Sequence, residues 1–262
     1  TLKKNPEYWD AESVKLSGVQ FDVVKESSTS YNLYESGQAD DITLSGELAM
    51  QNVNHKDYVV QPSATTQYLE MNQAAEDSPF RNEKLRQAIS YSLNRQQIVD
   101  QILGNGSLPA VGFVPSDLAF NPETKTDFVK DAGTSLPYDE EQAKKLWEQA
   151  KSELGKDTLT FELLTSDTDQ SKKLAEYIQG TLQQTLEGLT VEVTNVPFSV
   201  RLDRSNSGDF EMVMNNWIGD YADPINFLEL FKKDSSYNRG KWLDDTYDNL
   251  ISEASDAYAN DP

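Results

Sequence analysis

The stretch on which the fold prediction rests is Asn215-Asn216-Trp217-Ile218-Gly219-Asp220-Tyr221-Ala222-Asp223-Pro224. The apolar run before it, 210–214, predicts a short buried strand. The run after it, 225–231, predicts a helix that Pro224 opens at its first position. Since ligands of α/β sheets usually bind where strands end, this stretch is a candidate site. A desolvated Asp220 carboxylate there requires a cationic partner, and a ligand ammonium is one candidate.

Working backwards from this stretch, helical and strand patterns alternate over residues 138–231. Helices are expected from Asp139, the predicted N-cap, to about residue 150 and over 170–186, with a short one from Pro197. Strands are expected over 159–164, 190–196 and 210–214, and Trp147 is expected in the core. Either Asp167 or Asp169 is expected to cap the helix over 170–186. This order predicts an α/β fold, with helices packed on a sheet.

The first 70 residues lack this alternation of helical and strand patterns. Alternating patterns predict strands over 19–24, 41–44 and 66–71, and a short helix over 30–36. Next comes a long helical pattern over 82–102, stopped by Gly104, and a loop over 108–137 that either lines a ligand pocket or packs on its own domain. We therefore predict two regions, a β-rich region 1–70 and an α/β region 71–262.

Composition excludes several functions. The 262 residues carry a net charge of −21, which argues against a general nucleic-acid binder because no basic stripe is present. The chain has no cysteine and a single histidine, His55, so thiol catalysis and multi-histidine metal sites are excluded. Neither a metal nor another cofactor is expected. No apolar stretch approaches the ~20 residues that span a bilayer.

One enzymatic reading stays open at this point. Asp220 and Asp223 could be the acid and nucleophile of a carboxylate-based hydrolase, although with 44 acidic residues such pairs arise easily by chance. Asp223, directly before Pro224, is more simply explained as a helix N-cap. A calcium loop starting at Asp167 is disfavoured because Lys172 stands where a glycine is required.

Four segments, in order, resemble the extracellular solute-binding proteins of family 5, the oligopeptide- and dipeptide-binding class of ABC importers. Residues 217–224 match its W-x-x-D-Y-x-D-P motif. The other similar segments are 5–9 with 33–40 (Asn-Pro-Glu-Tyr-Trp, then Leu through Asp), 80–95 (Phe-Arg-Asn-Glu-Lys-Leu-Arg-Gln-Ala-Ile-Ser-Tyr-Ser-Leu-Asn-Arg) and 138–146 (Tyr-Asp-Glu-Glu-Gln-Ala-Lys-Lys-Leu).

The resemblance implies the periplasmic-binding-protein-like II fold, in which two lobes close on a ligand. Family members are roughly twice as long, so we expect a fragment: 1–70 as part of the first lobe and 71–262 as most of the second. An export signal and a lipid anchor are expected in the preceding part of the full-length parent. That parent would be extracytoplasmic, lipid-anchored at the cell surface, or periplasmic in a Gram-negative organism.

The resemblance also implies a function, the capture of extracellular oligopeptides for delivery to the membrane subunits of an ABC permease, without catalysis. In peptide-binding members the motif aspartate pairs with the peptide's N-terminal ammonium, a role that carries over to Asp220. Its neighbours are expected to line the cleft: Asn216, Trp217, Ile218, Gly219 and Tyr221.

Departures and alternatives within the family remain. Asn216 stands where many members have glycine, which alters the cleft wall, and Asn94-Arg95 replaces an Asp-Arg pair. Arg86 and Arg95 are expected to form ion pairs within helices and interfaces. A sugar or nickel-complex ligand, or the sensing of a peptide pheromone, is the alternative function.

Overall fold

A computed structural model describes residues 1–133 and 135–256, and the chain divides into two compact units, Thr1–Leu44 and Ser45–Pro262. The smaller unit contains strands β1 (Leu2–Lys3) and β2 (Gly18–Val19), paired antiparallel, and helix α1 (Ser27–Glu35). The predicted helix is therefore present. The strand predicted over 19–24 is wrong beyond Val19, because β1 offers only two residues for pairing, and residues 41–44 form no strand.

The larger unit holds the remaining elements. Its strands are β3 (Thr65–Met71), β4 (Leu159–Ser166), β5 (Leu189–Val196) and β6 (Met212–Ile218). Its α-helices are α2 (Gly46–Gln51), α3 (Glu83–Ser92), α4 (Arg95–Gln97), α5 (Phe128–Asp131), α6 (Glu140–Leu154), α7 (Asp169–Thr185), α8 (Phe198–Ser207), α9 (Ile225–Leu228) and α10 (Asp245–Asp256). Shorter turns of 3-10 helix lie at Pro79–Arg81 and Glu229–Phe231, and a π-helix at Ile98–Leu103.

These four strands form one mixed sheet in the order β3-β6-β4-β5. Strand β4 is parallel to both β5 and β6, as expected for strands joined through helices. Strand β3 runs antiparallel to β6 along its whole length. Residues 65–71 therefore belong to the same sheet as residues 212–218. The predicted division between residues 70 and 71 concerns the lobes of a longer protein and stays a prediction.

The main core lies between this sheet and helices α3, α6 and α7. Trp147 of α6 is 1% exposed, as predicted, and its indole Nε1 donates to the Glu187 carbonyl at 2.8 Å. Phe80 packs edge-on against Phe161 of β4 in the same cluster. The α/β alternation is therefore explained by burial: strand and helix faces exclude water from one apolar layer.

The helix predicted over 82–102 is interrupted at Leu93, where the backbone becomes extended. Asn82 caps α3 by accepting from the Leu85 N–H at 3.0 Å, and Asn94 caps a new helical segment by accepting from the Gln97 N–H at 3.0 Å. The apolar residues continue at helical spacing across this break, so the spacing alone predicted one helix. The break itself is favoured by asparagine, because an asparagine side chain that bonds the backbone favours a helix start over a helix interior. Gly104 ends the segment with φ +55°, as predicted.

The first residues of α6 and α7 show which of the predicted N-caps are present. Asp139 caps α6 by accepting from the Gln142 N–H at 2.9 Å, as predicted. Neither Asp167 nor Asp169 caps α7, since Thr168 takes that role and accepts from the Ser171 N–H at 3.2 Å. Threonine is also a favourable N-cap residue, and the extended backbone of Thr168 places its hydroxyl within reach of the Ser171 N–H.

Two further predictions concern the loop over 108–137 and the arginines. Phe113 packs edge-on with Tyr68 at 4.9 Å and with Phe231 at 4.5 Å, so this part of the loop packs on its own unit. Arg86 donates to the Phe80 carbonyl and Arg95 to the Ser90 carbonyl, at 2.7 and 3.1 Å. Within the described part of the chain, these arginines therefore donate to backbone carbonyls and do not form the predicted ion pairs. Among the described residues, no helix is long and apolar enough to span a bilayer.

Candidate functional site

The candidate segment begins inside a strand rather than after one. The prediction of a strand over 210–214 is wrong at both ends, because β6 runs from Met212 to Ile218 and includes the first four residues of the stretch 215–224. The reason is long-range: β3 pairs with β6 as far as Thr65↔Ile218, which extends the strand beyond its apolar part. Asn216, Trp217 and Ile218 are therefore strand residues, while Gly219, Asp220 and Tyr221 follow the strand.

One edge of β6 is only partly covered. On one side β3 pairs with all of its residues, but on the other side β4 pairs only with Met212 and Val213. Within the described residues, no strand pairs with the outer half of β6 on that side. The sheet thus has an internal fork, at which β4 and β6 separate.

Hydrogen bonds at the two ends of the ladder show which residues face the fork. Gly219 N–H donates to the Ala64 carbonyl at 2.7 Å, and Asn72 N–H donates to the Glu211 carbonyl at 2.9 Å. Odd-numbered residues of β6 therefore direct their main-chain groups towards β3, because this direction alternates along an antiparallel strand. The main-chain groups of Asn216 and Ile218 point the other way, into the fork.

The side chains of the motif divide into exposed and packed ones. Asn216, Asp220, Tyr221 and Ile218 are exposed, Ile218 by 60%. Trp217 is half-buried: its ring packs on Tyr237 with centroids 4.7 Å apart, and its Nε1 donates to Asn226 Oδ1 at 3.4 Å. Of the predicted residues, Asn216 and Ile218 therefore present main-chain groups at the fork, Asp220 and Tyr221 follow the strand, and Trp217 packs on Tyr237.

The position of Asp220 is fixed through its backbone. Its N–H donates to Asn226 Oδ1 at 2.9 Å, and Asn226 is 3% exposed. In the described part of the chain, no group donates a hydrogen bond to the Asp220 carboxylate or forms an ion pair with it. The carboxylate is held at the end of the open edge and is available to a cation from outside. Asn226 was missed in the sequence, where it is one polar residue in an apolar helix start.

Asp223 has a different role from Asp220. Its Oδ1 accepts from the N–H of Ile225, the first residue of α9, at 2.9 Å, although the N-cap of this helix is Pro224 and not the predicted Asp223. This explains the second carboxylate of the pair without catalysis. His55 is exposed in a turn, and among the described residues no group of three or more His, Cys, Asp or Glu side chains could hold a metal ion.

Gly219 is required by close packing. A Cβ there would lie 2.9 Å from Phe227 Cε2 and 3.0 Å from its Cζ, and Phe227 is fully buried. We expect Gly219→Ala to lower the free energy of unfolding by about 1–3 kcal/mol, measured by urea denaturation, because the phenyl ring must shift. The control is Gly180→Ala in α7, where a Cβ meets nothing within 4 Å and a gain of about 0.5–1 kcal/mol is expected. Equal effects of the two substitutions would contradict this reading.

A buried polar network lies behind the edge. Glu70 of β3 accepts from Asn215 Nδ2 at 2.6 Å and from the Gly240 N–H at 2.8 Å. Asn215 in turn accepts from Arg201, which also donates to the Met214 carbonyl at 3.0 Å. Burial raises the pKa of Glu70 above its usual value, while its two hydrogen bonds act in the opposite direction.

The raised pKa of Glu70 predicts a pH dependence of stability. Since the folded protein holds this proton more tightly than the unfolded chain, the contribution is fully present below the unfolded pKa of about 4.5. It is lost as pH rises through the folded pKa. We expect the free energy of unfolding to fall more steeply with pH above 4.5 in the wild type than in Glu70→Gln. Parallel pH profiles of the two proteins would refute this assignment.

Comparison with known proteins identifies the family. The sequence model described as "Bacterial extracellular solute-binding proteins, family 5 Middle" matches residues 1–239. The chain belongs to this family. A family 5 relative, the dipeptide-binding protein of Lactococcus lactis subsp. cremoris, is 36% identical over 97% of this chain. The chain spans about half the length of the curated relatives it matches, 48% in this case.

Solved structures agree with the family 5 assignment. The structure titled "Listeria monocytogenes OppA bound to peptide" superposes with a TM-score of 0.92 at 40% identity, over 95% of this chain and 50% of that one. The pheromone receptor PrgZ, whose title also names peptide binding, superposes with a TM-score of 0.91 at 41% identity, over 97% of this chain and 50% of that one. The expected periplasmic-binding-protein-like α/β fold, in part, is thereby confirmed.

Proposed function

We propose that this chain provides the main peptide-binding edge of a substrate-binding subunit that captures extracellular oligopeptides for an ABC importer. The observation that carries the proposal is the open edge of β6, which ends at a carboxylate with no ion-pair partner among the residues that the structure describes. Asn216 and Ile218 direct their N–H and C=O groups into the fork, and Asp220 follows two residues later. Membership of family 5 and the peptide-bound relative support the same ligand class.

The physical basis is strand addition. An extended peptide that pairs with Asn216 and Ile218 gains main-chain hydrogen bonds that do not depend on its side chains. If its N-terminal ammonium lies at Asp220, beyond the C-terminal end of β6, the peptide runs antiparallel to the strand. Side chains of the peptide then alternate between the two faces of the sheet, next to Asn216 and Ile218 on one face.

Charge supports the choice of an ammonium. The Asp220 carboxylate carries no internal counter-charge among the described residues, so a cation that reaches it gains an ion pair without displacing an arginine or lysine. A second surface that covers the ligand would strengthen the pair by removing water. The net charge of −21 adds a general attraction for cationic groups, which salt screens beyond about 10 Å.

The proposal extends to the setting of the full-length protein that contains this chain. We place that protein outside the cytoplasm, in line with the description of its family as extracellular. A lipid anchor would keep it at the membrane surface, and its partners would be the membrane subunits of the permease. We propose a binding role without catalysis, in line with the description of its family as solute-binding proteins.

The test uses the full-length protein. It is purified without added ligand and denatured, and the released molecules are identified by mass spectrometry, alongside calorimetric titration with a mixed peptide library. Peptides with free N-termini are the expected cargo, and a single recurring sequence would indicate the pheromone-sensing form of the same function. A sugar or a nickel complex in their place, with no heat from the peptide library, would contradict the proposal.

A further inference from the structure

The fork between β4 and β6 begins before either strand ends. The pairing stops after Leu164↔Val213, although β4 continues to Ser166 and β6 continues to Ile218. Continued in the same register, Ser166 would stand opposite Asn215. The next bond of a parallel ladder would then join the Ser166 N–H to the Met214 carbonyl.

A guanidinium occupies the place of that bond. Arg201 of α8 donates from Nη1 to the Met214 carbonyl at 3.0 Å and from Nε to Ser166 Oγ at 3.0 Å. The side chain thus spans from one strand to the other at the first position where they separate. Arg201 is only 4% exposed, and its guanidinium lies over the Phe198 ring at 5.1 Å from the centroid.

A chain of hydrogen bonds links the guanidinium to a buried carboxyl group. Asn215 accepts from Arg201 and donates to Glu70, and Glu70 also accepts from the Gly240 N–H. A buried arginine is costly unless its donors and its charge are satisfied, and an apolar side chain of similar size is often as stable. The fixed fork geometry of the guanidinium is what an apolar residue cannot supply.

We propose that Arg201 is a positioning residue that holds β4 away from β6 and so keeps the main-chain groups of Asn216 and Ile218 open to an extended ligand. That the open edge serves to bind a ligand rests on the proposed function, whereas the separation of the strands is a property of the free protein. Without the guanidinium, β4 is expected to continue along β6, which brings the Asn216 N–H to the Ser166 carbonyl.

The test compares Arg201→Met with wild type in the full-length protein without ligand. The expected result is that amide hydrogen exchange at Asn216, read residue by residue, slows at least tenfold in the variant. Exchange at Trp217, whose N–H faces β3, is the internal reference and stays unchanged. Calorimetric affinity for a peptide with a free N-terminus is expected to fall at least tenfold. A residue with a merely structural role would not slow exchange at one open amide.

Two further variants control for folding and for charge. Arg201→Lys keeps the positive charge beside Asn215 but cannot span both strands with a planar group. For this variant we expect smaller decreases in Asn216 exchange and in peptide affinity. Arg204→Met removes the neighbouring arginine of α8, which binds Glu162 and Asp209 and is 25% exposed, and neither Asn216 exchange nor affinity should change.

The outcomes separate this inference from the proposed function. Slower exchange at Asn216 in both Arg201 variants supports the positioning role even if the wild type binds no peptide, in which case the proposed function fails alone. Unchanged exchange at Asn216 with unchanged affinity overturns the role while peptide capture stands. Faster exchange at both Asn216 and Trp217, in both Arg201 variants, marks general loosening and also overturns it.

Discussion

Asp220→Ala in the full-length protein is expected to weaken the binding of peptides with a free N-terminus by about 2–5 kcal/mol, or about 30- to 4,000-fold. The carboxylate is exposed in this structure and has no partner among the described residues, so the folded state loses little when it is removed. In the complex, the ammonium would be buried without a counter-charge. The measurement is the calorimetric Kd, with the free energy of unfolding determined in parallel.

Asp223→Ala is the matched control for charge. It removes the same group three positions along the chain, but its carboxylate accepts from the Ile225 N–H at the start of α9. A stability loss of about 0.5–2 kcal/mol with an unchanged Kd is expected. Acetylating the peptide's N-terminus should weaken binding to the wild type and leave binding to Asp220→Ala nearly unaffected. Equal discrimination against the acetylated peptide by both proteins would contradict the ammonium assignment.

Trp147→Ala is expected to lower the free energy of unfolding by about 3–5 kcal/mol, the range for deleting a large buried aromatic side chain. Trp147 is 1% exposed in the core between α3, α6 and the sheet. The substitution also leaves the Glu187 carbonyl without the indole donor that it has at 2.8 Å. Urea denaturation measures the effect as a shift of the midpoint at constant slope.

Trp147→Phe separates the two contributions to this loss. The phenyl ring keeps most of the apolar contacts but cannot donate to the Glu187 carbonyl, so a smaller cost of about 1–3 kcal/mol is expected. A loss below about 1 kcal/mol for Trp147→Ala would be incompatible with a packed core at this position. Peptide affinity should be unchanged in whatever fraction of the variant remains folded.

Local signals predicted much of the larger unit from sequence. The strands over 159–164 and 190–196 and the helices that contain Trp147 and residues 170–186 lie where the apolar periodicity placed them. They are the elements whose amphipathic pattern is continuous and whose burial the pattern directly reflects. The family followed from four short motifs in order, and the family comparison confirmed it.

Features that depend on contacts between distant parts of the chain could not be predicted from the sequence. The antiparallel pairing of β3 with β6 extends β6 through Ile218, and no local sequence pattern indicates a pairing partner so distant in the chain. The contact between Asn215 and Glu70 joins residues 145 positions apart, and Arg201 contacts the fork from the short helix that starts after Pro197. Such contacts depend on register and topology, which the sequence pattern constrains only weakly.

The most direct test of peptide capture by the open edge is amide hydrogen exchange in the full-length protein before and after adding saturating peptide. Protection is predicted to rise at Asn216 and Ile218, whose N–H groups face the fork, and to stay constant at Asn215 and Trp217, which already face β3. Bound peptide without added protection at Asn216 and Ile218 would contradict strand addition at this edge.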